Sequence, residues 1–187
     1  LGNGLDNNWY LDGNNASVVS SDGNKTTVQM GSGYRGDLWL ARSGKGKIVN
    51  VTPADYRYFA IKVGFKSQLV PGKNKPNGCI KLEIFDDGIK KIGPEYFGTG
   101  GDANNRYEIL GASEISTTEP NVLYYDLQSK YKTVTPTDWN QVFDLVQCKF
   151  VIADFPETAQ TYDLYWIRSF KSLEELQAFV NSENNNE

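Results

Sequence analysis

Short stretches in which apolar and polar residues alternate recur from residue 16 to residue 170, and helical spacing is met only at the C-terminal end. A period of two is the signature of a strand with one buried face, so the chain is confined to an all-β architecture. The alternation predicts eight strands, at Ala16–Ser21, Lys25–Met30, Asp37–Ala41, Tyr56–Phe65, Gly78–Phe85, Asn121–Leu127, Gln147–Asp154 and Tyr162–Phe170. Strands of this number and length fit two stacked sheets. Ser21-Asp22-Gly23-Asn24 makes a tight hairpin, residues 72–78 a long exposed tip, and residues 86–107 a Gly/Asp/Asn-rich connection of the length that functional loops have. At the end, Ser172 caps a short helix over Leu173–Val180, with Glu174 and Glu175 in its first turn, where the helix dipole favours anions. Asn181–Glu187 is expected to be a disordered tail, leaving residues 1–180 as a single domain.

Composition then limits the chemistry. No histidine occurs among the 187 residues, which removes the commonest general acid/base and the commonest metal ligand. Aromatic side chains are abundant, with 4 tryptophans, 11 tyrosines and 9 phenylalanines. Flat amphipathic rings suit a ligand with apolar faces and a polar rim, and a sugar is such a ligand. A formal net charge of −4 without long runs argues against nucleic acid, whose phosphates require a basic face. No apolar run approaches the roughly 18 residues of a membrane span, so direct insertion is not expected. The opening Leu1-Gly2-Asn3-Gly4 reads as the start of a trimmed exported protein or of one domain of a longer chain. Cys79 and Cys148 both fall in predicted strands; free buried thiols are the plain reading, a disulfide across the sheets the sharper one.

Alternation also sorts side chains between faces. Phe59, Ile61, Val63 and Phe65 fall on one side of their strand and Tyr56, Tyr58 and Lys62 on the other. Leu38 and Leu40 oppose Arg35, Asp37 and Trp39, while Tyr165 and Ile167 oppose Leu164, Trp166 and Arg168. A face that interleaves rings with Arg, Lys, Asp and Glu offers stacking plates and charge-assisted bonds to vicinal hydroxyls. The expected carbohydrate site therefore comprises Trp39 and Trp139 as plates, Arg35 and Asp37 bonding hydroxyls, and Trp9, Tyr96 and Tyr107 as further aromatic contacts. The duller alternatives are that Trp39 covers a sheet face beneath a loop, that Trp9 packs at the sandwich end, and that Trp166 packs under the helix.

Enzymatic constellations are weaker. The acidic residues supply many pairs but no diagnostic glycosidase spacing, and Asp86-Asp87 reads as turn chemistry. Triads of the Ser-His-Asp or Cys-His kind are excluded without histidine. A tyrosine or lysine base, as in a polysaccharide lyase, stays open. No cofactor is expected apart from one structural calcium ion, which Asp6, Asp12, Asp22 and Asp163 with neighbouring asparagines could cage.

Three segments carry a family resemblance: residues 36–41 (Gly-Asp-Leu-Trp-Leu-Ala), residues 56–63 (Tyr-Arg-Tyr-Phe-Ala-Ile-Lys-Val) and residues 162–176 (Tyr-Asp-Leu-Tyr-Trp-Ile-Arg-Ser-Phe-Lys-Ser-Leu-Glu-Glu-Leu). In this order the chain resembles the C-terminal domains of surface glycan-binding lipoproteins from the polysaccharide-utilisation systems of gut Bacteroidetes. The resemblance implies a galactose-binding-like jelly roll and a carbohydrate-binding module held at the outer membrane through a larger parent lipoprotein. The expected function is non-catalytic binding of a polysaccharide or oligosaccharide at the cell surface, by a monomer. The alternatives are a jelly-roll lyase or glycosidase, and a structural or protein-interaction sandwich.

Overall fold

In a computed structural model the chain is described over residues 9–11, 16–31, 36–42, 45–46, 49–51, 55–66, 79–85, 97–98, 107–126, 143–145, 147–153 and 160–185. The first strands are β1 (Tyr10–Leu11), β2 (Ala16–Ser21), β3 (Thr26–Met30), β4 (Gly36–Arg42), β5 (Lys45–Gly46), β6 (Val49–Val51) and β7 (Tyr58–Phe65). There follow β8 (Cys79–Phe85), β9 (Phe97–Gly98), β10 (Glu108–Ile109), β11 (Asn121–Asp126), β12 (Phe143–Leu145), β13 (Gln147–Ala153), β14 (Gln160–Phe170) and the helix α1 (Leu173–Asn184). All eight expected strands are present. The six that alternation missed are two or three residues long, too short to show a period.

Every pairing is antiparallel. One sheet runs β1-β4-β13-β8-β9, with β5 beside β4; the other runs β10-β11-β7-β14-β3-β2; β12 and β6 form a small third ladder. After the β2–β3 hairpin the chain crosses between the two large sheets repeatedly, from β3 to β4, β7, β8, β11, β13 and β14 in turn. The result is an all-β sandwich with a C-terminal helix, wound in jelly-roll manner. The hairpin turns as its residues dictate: Asp22 Oδ1 accepts from the amides of Asn24 (2.9 Å) and Lys25 (3.0 Å), and Gly23 takes φ +86°, open to glycine at no steric cost.

A single core fills the space between the sheets. Leu38, Leu40, Phe150 and Ile152 contribute from the first, and Val28, Met30, Phe59, Ile61, Val63, Phe65, Leu123, Tyr125, Tyr162, Leu164 and Ile167 from the second. Phe150 bridges them, with its ring centroid 6.5 Å from that of Phe59 and 6.0 Å from that of Tyr125. A second, smaller core lies on the opposite face of the second sheet. There Tyr58, Ala60, Val122, Trp166 and Phe170 are covered by Leu176 of α1, with Phe179 and Val180 packed alongside.

Two expectations are corrected and one alternative is removed. Tyr165 does not join the core, because the β14–β7 register shifts between Leu164 and Trp166; this bulge puts Leu164 and Ile167 inside and turns Tyr165 toward the outer cluster. The helix runs to Asn184, so residues 181–184 are helical where a tail was expected; Glu183 holds them, its Oε2 accepting from Trp166 Nε1 (3.0 Å) and Lys62 Nζ (3.3 Å). Finally, the two cysteines share one sheet: Cys79 pairs with Ala153 and Cys148 with Ile84 on the β8–β13 ladder. That offset along the strands is about 17 Å, far beyond the reach of a disulfide.

Candidate functional site

Of the two expected plates, Trp39 is placed inside the protein. Trp39 has the predicted parity, opposite to the core residues Leu38 and Leu40, but it is only 4% exposed. Trp9 is likewise 4% exposed, its ring 5.8 Å from that of Phe150 in the main core. Tyr107 is half-buried and packs edge-on against Tyr125 at 6.5 Å. A ring buried to this extent cannot stack on a sugar, so Trp39 and Trp9 are corrected to structural roles. Asp37 takes its place in β4 opposite Val151, while Arg35, Tyr96 and Trp139 lie outside the described residues.

Two of the four expected calcium ligands, Asp22 and Asp163, have partners within the protein. Asp163 accepts from Lys25 Nζ and Thr27 Oγ1, both at 2.7 Å, and Asp22 is bound by its own turn amides. Asp6 and Asp12 lie outside the described residues.

What the structure does assemble is a tyrosine cluster on the outer face of the second sheet, where β7 meets β11. Tyr58 pairs with Asp126 and Tyr124 with Ala60 in the ladder, which brings the Tyr58 and Tyr124 rings to 6.1 Å at 55°. Arg57 grips Asp126 with two parallel bonds, Nε to Oδ1 and a terminal nitrogen to Oδ2, each 2.7 Å, and its guanidinium lies 5.1 Å from the Tyr58 ring centroid. This fork-to-carboxylate pairing fixes both side chains. Tyr56, in the bend before β7, is 42% exposed and is the most open aromatic side chain among the described residues. Glu108, opposite Tyr124 in the β10–β11 ladder, is exposed at the cluster's margin.

The titration of these groups is set by burial and by the Arg57–Asp126 pair. Burial, and then the charge of Asp126, push the Tyr58 hydroxyl up; burial does the same for Tyr124. Arg57 is raised by its bond to Asp126. Neutral phenols and a fixed guanidinium donate hydrogen bonds at physiological pH but do not act as bases there.

Further along the same face, toward β14 and β3, lies a second group. Asp163 pairs with both Gly64 and Thr27 across the ladders. Burial raises its carboxyl, but the bonds from Lys25 and Thr27 and the charges of Lys25 and Lys66 outweigh that and hold it below the usual carboxylate range. The bulged Tyr165 lies beside Gly64, and Lys62 Nζ is 5.5 Å from its ring centroid.

Sequence reasoning had the right face for Tyr56, Tyr58 and Lys62. It missed Arg57, Tyr124 and Asp126 because their meeting depends on β11 pairing with β7, which no local pattern reports. For Lys66 a signal existed, since Lys62, Gly64 and Lys66 share a face at a spacing of two.

A family model described as a domain of unknown function (DUF4979) matches residues 2–176. No curated protein and no solved structure matches the chain.

Proposed function

The chain belongs to the DUF4979 family, and we propose that it is a non-catalytic carbohydrate-binding module that takes a polysaccharide or oligosaccharide on Tyr56 and Tyr124, beside the Arg57–Asp126 pair and the buried Tyr58. The observation that carries this reading is the coincidence of an open tyrosine with a bidentate Arg57–Asp126 pair on one sheet face. Rings cover the apolar C–H face of a pyranose, and the Arg57 guanidinium, held in place by Asp126, donates to its hydroxyls. Covering ~100 Å² of apolar area contributes roughly 2 to 3 kcal/mol. With a few hydrogen bonds this gives millimolar to micromolar affinity, on the order of what a polysaccharide-sampling module uses. A raised Tyr58 and Tyr124 favour binding over a lyase in which tyrosine is the base. Attachment at a bacterial cell surface through a larger lipoprotein is proposed on the family resemblance of the strand segments; protease accessibility of the domain on intact cells tests it.

Native affinity electrophoresis in gels containing xylan, glucan, mannan or pectin tests the binding. Retardation in one of them, lost in Tyr56→Ala with Tyr124→Ala, is the expected result; unchanged mobility in all of them overturns it. The second reading, a protein-interaction sandwich, has one observation in its favour: Val18 and Val19 are 50% and 60% exposed on β2, the last strand of its sheet.

A further inference from the structure

α1 covers the outer face of the second sheet with few apolar side chains to hold it there. Of its 12 residues only Leu176 is buried, while Leu173, Phe179 and Val180 are half-buried. Its last turn runs against helix formation. Asn181, Ser182 and Asn184 are weak helix formers, and Glu183 places a carboxylate where the helix dipole favours a cation, with no basic residue in that turn to offset it. What makes the turn helical is its docking on the sheet.

The docking contacts are those of a ligand more than those of a core. Glu183 Oε2 accepts from two donors at one point, Trp166 Nε1 at 3.0 Å and Lys62 Nζ at 3.3 Å. Four residues earlier on α1, the Phe179 ring meets the Trp166 ring edge-on at 5.3 Å and the Arg168 guanidinium at 4.6 Å from its centroid. An indole N–H and an ammonium beneath a helix need a polar partner, and α1 supplies it from its weakest turn. These groups also continue the face of the tyrosine site. Trp166 pairs with Lys62, and two residues along, Arg168, Ala60 and Tyr124 form one row across β14, β7 and β11. Two strand spacings and two residues put Trp166 about 12 Å from Tyr124, Cα to Cα, within reach of a short oligosaccharide.

We propose that residues 179–184 are a self-occupying strap: Phe179 and Glu183 fill, on Trp166 and Lys62, a further sugar subsite of the same face, and glycan binding competes with docking of the end of α1. The inference rests on the glycan reading of Tyr56 and Tyr124. With the strap unwound, the Trp166 ring takes the apolar face of a pyranose, and Trp166 Nε1 and Lys62 Nζ donate to a hydroxyl in the place of Glu183 Oε2. The Ser172 cap and Leu176 keep the first half of α1 seated, so the opening is local.

Phe179→Ser with Glu183→Ala removes both strap contacts and leaves Tyr56, Tyr124 and the inner core untouched. Asn181→Ala with Ser182→Ala, at exposed positions, strengthens the helix instead. Wild type and both variants are compared by affinity electrophoresis in xylan, glucan, mannan and pectin gels, and by amide hydrogen exchange without glycan. In the first variant, exchange is expected to rise in residues 177–184 and not in β7 or β14. Binding to the retarding polysaccharide is expected to tighten on the order of tenfold, the factor by which a site open about a tenth of the time is weakened. The second variant is expected to bind more weakly than wild type, and Trp166→Leu added to the first variant to cancel the gain. Fast exchange in the strap with no gain in binding overturns the subsite and leaves the Tyr56 and Tyr124 reading standing. Exchange of residues 177–184 that stays as slow as that of β7 in the first variant overturns the strap outright. Retardation of the first variant alone supports the strap and moves the ligand away from Tyr56 and Tyr124, whereas retardation of none of the proteins sinks both.

Discussion

The two faces of the second sheet are both packed with aromatic and aliphatic side chains, yet they are held in different ways. The inner face meets the other sheet through a closed apolar core in which Phe59, Tyr125 and Phe150 touch ring to ring. The outer face meets a single helix, and there the apolar contacts of Trp166, Phe170 and Phe179 are accompanied by polar ties: Glu183 to Trp166 and Lys62, Arg57 to Asp126, Asp163 to Lys25 and Thr27. A two-sided sandwich supplies enough apolar area to fix its own geometry, whereas a lone helix on a sheet needs directional bonds to fix where it lies. The proposed carbohydrate site is on the outer face, where β7 pairs with β11.

The largest expected effect is in the inner core. Phe150→Ala removes the ring that joins the sheets and should cost about 3 to 5 kcal/mol, read as a fall in the denaturant midpoint of the whole domain. On the outer face, Glu183→Ala leaves the buried Trp166 N–H without its acceptor and Lys62 without its counter-charge. The expected cost is about 1 to 3 kcal/mol. Its distinguishing sign is faster amide hydrogen exchange confined to α1 while the strands keep their protection. If Glu183→Ala lowered the protection of β7 and β14 as much as that of α1, the contrast between the faces would be wrong. Ser172→Ala acts on the helix alone: the Ser172 hydroxyl accepts from the Glu175 amide at 3.2 Å, and its loss should cost about 1 kcal/mol, with sheet exchange unchanged.

The same contrast explains what could be read from the chain. Inner-face residues were legible because Phe59, Ile61, Val63 and Phe65 alternate without interruption over a full strand. Outer-face residues were only partly so. Tyr58 and Lys62 were assigned to the right side, but nothing local announces that α1 folds back over them, and the bulge at Tyr165 reversed the parity of half of β14. Trp39 shows the limit of parity itself: it points away from the core and is buried nonetheless, since alternation reports direction and not coverage. Residues 181–184 looked like a tail because Asn-Ser-Glu-Asn is polar throughout, and only the contact between Glu183 and Trp166, 17 residues apart, makes them helix.

The smallest expected effect separates the faces by pH. Asp163 on the outer face has its carboxyl held down by Lys25, Thr27 and Lys66 against the opposing effect of burial. A depressed folded-state value contributes stability above the unfolded carboxylate range, and that stability is lost as pH falls below about 4 and on through the folded value. Tyr162 on the inner face is wholly buried, and burial drives its hydroxyl up. A raised folded-state value works the other way: its contribution is complete below the unfolded phenol value of about 10 and is lost as pH rises through and beyond it. Asp163→Asn should therefore flatten the acid limb of a stability–pH profile and leave the alkaline limb alone. Tyr162→Phe should do the reverse, because removing a buried hydroxyl removes the group that must ionise for the core to open in base. Denaturant titrations of both variants from acid to alkaline pH distinguish the two, and a Tyr162→Phe variant with an unchanged alkaline limb would place that sensitivity outside the inner core.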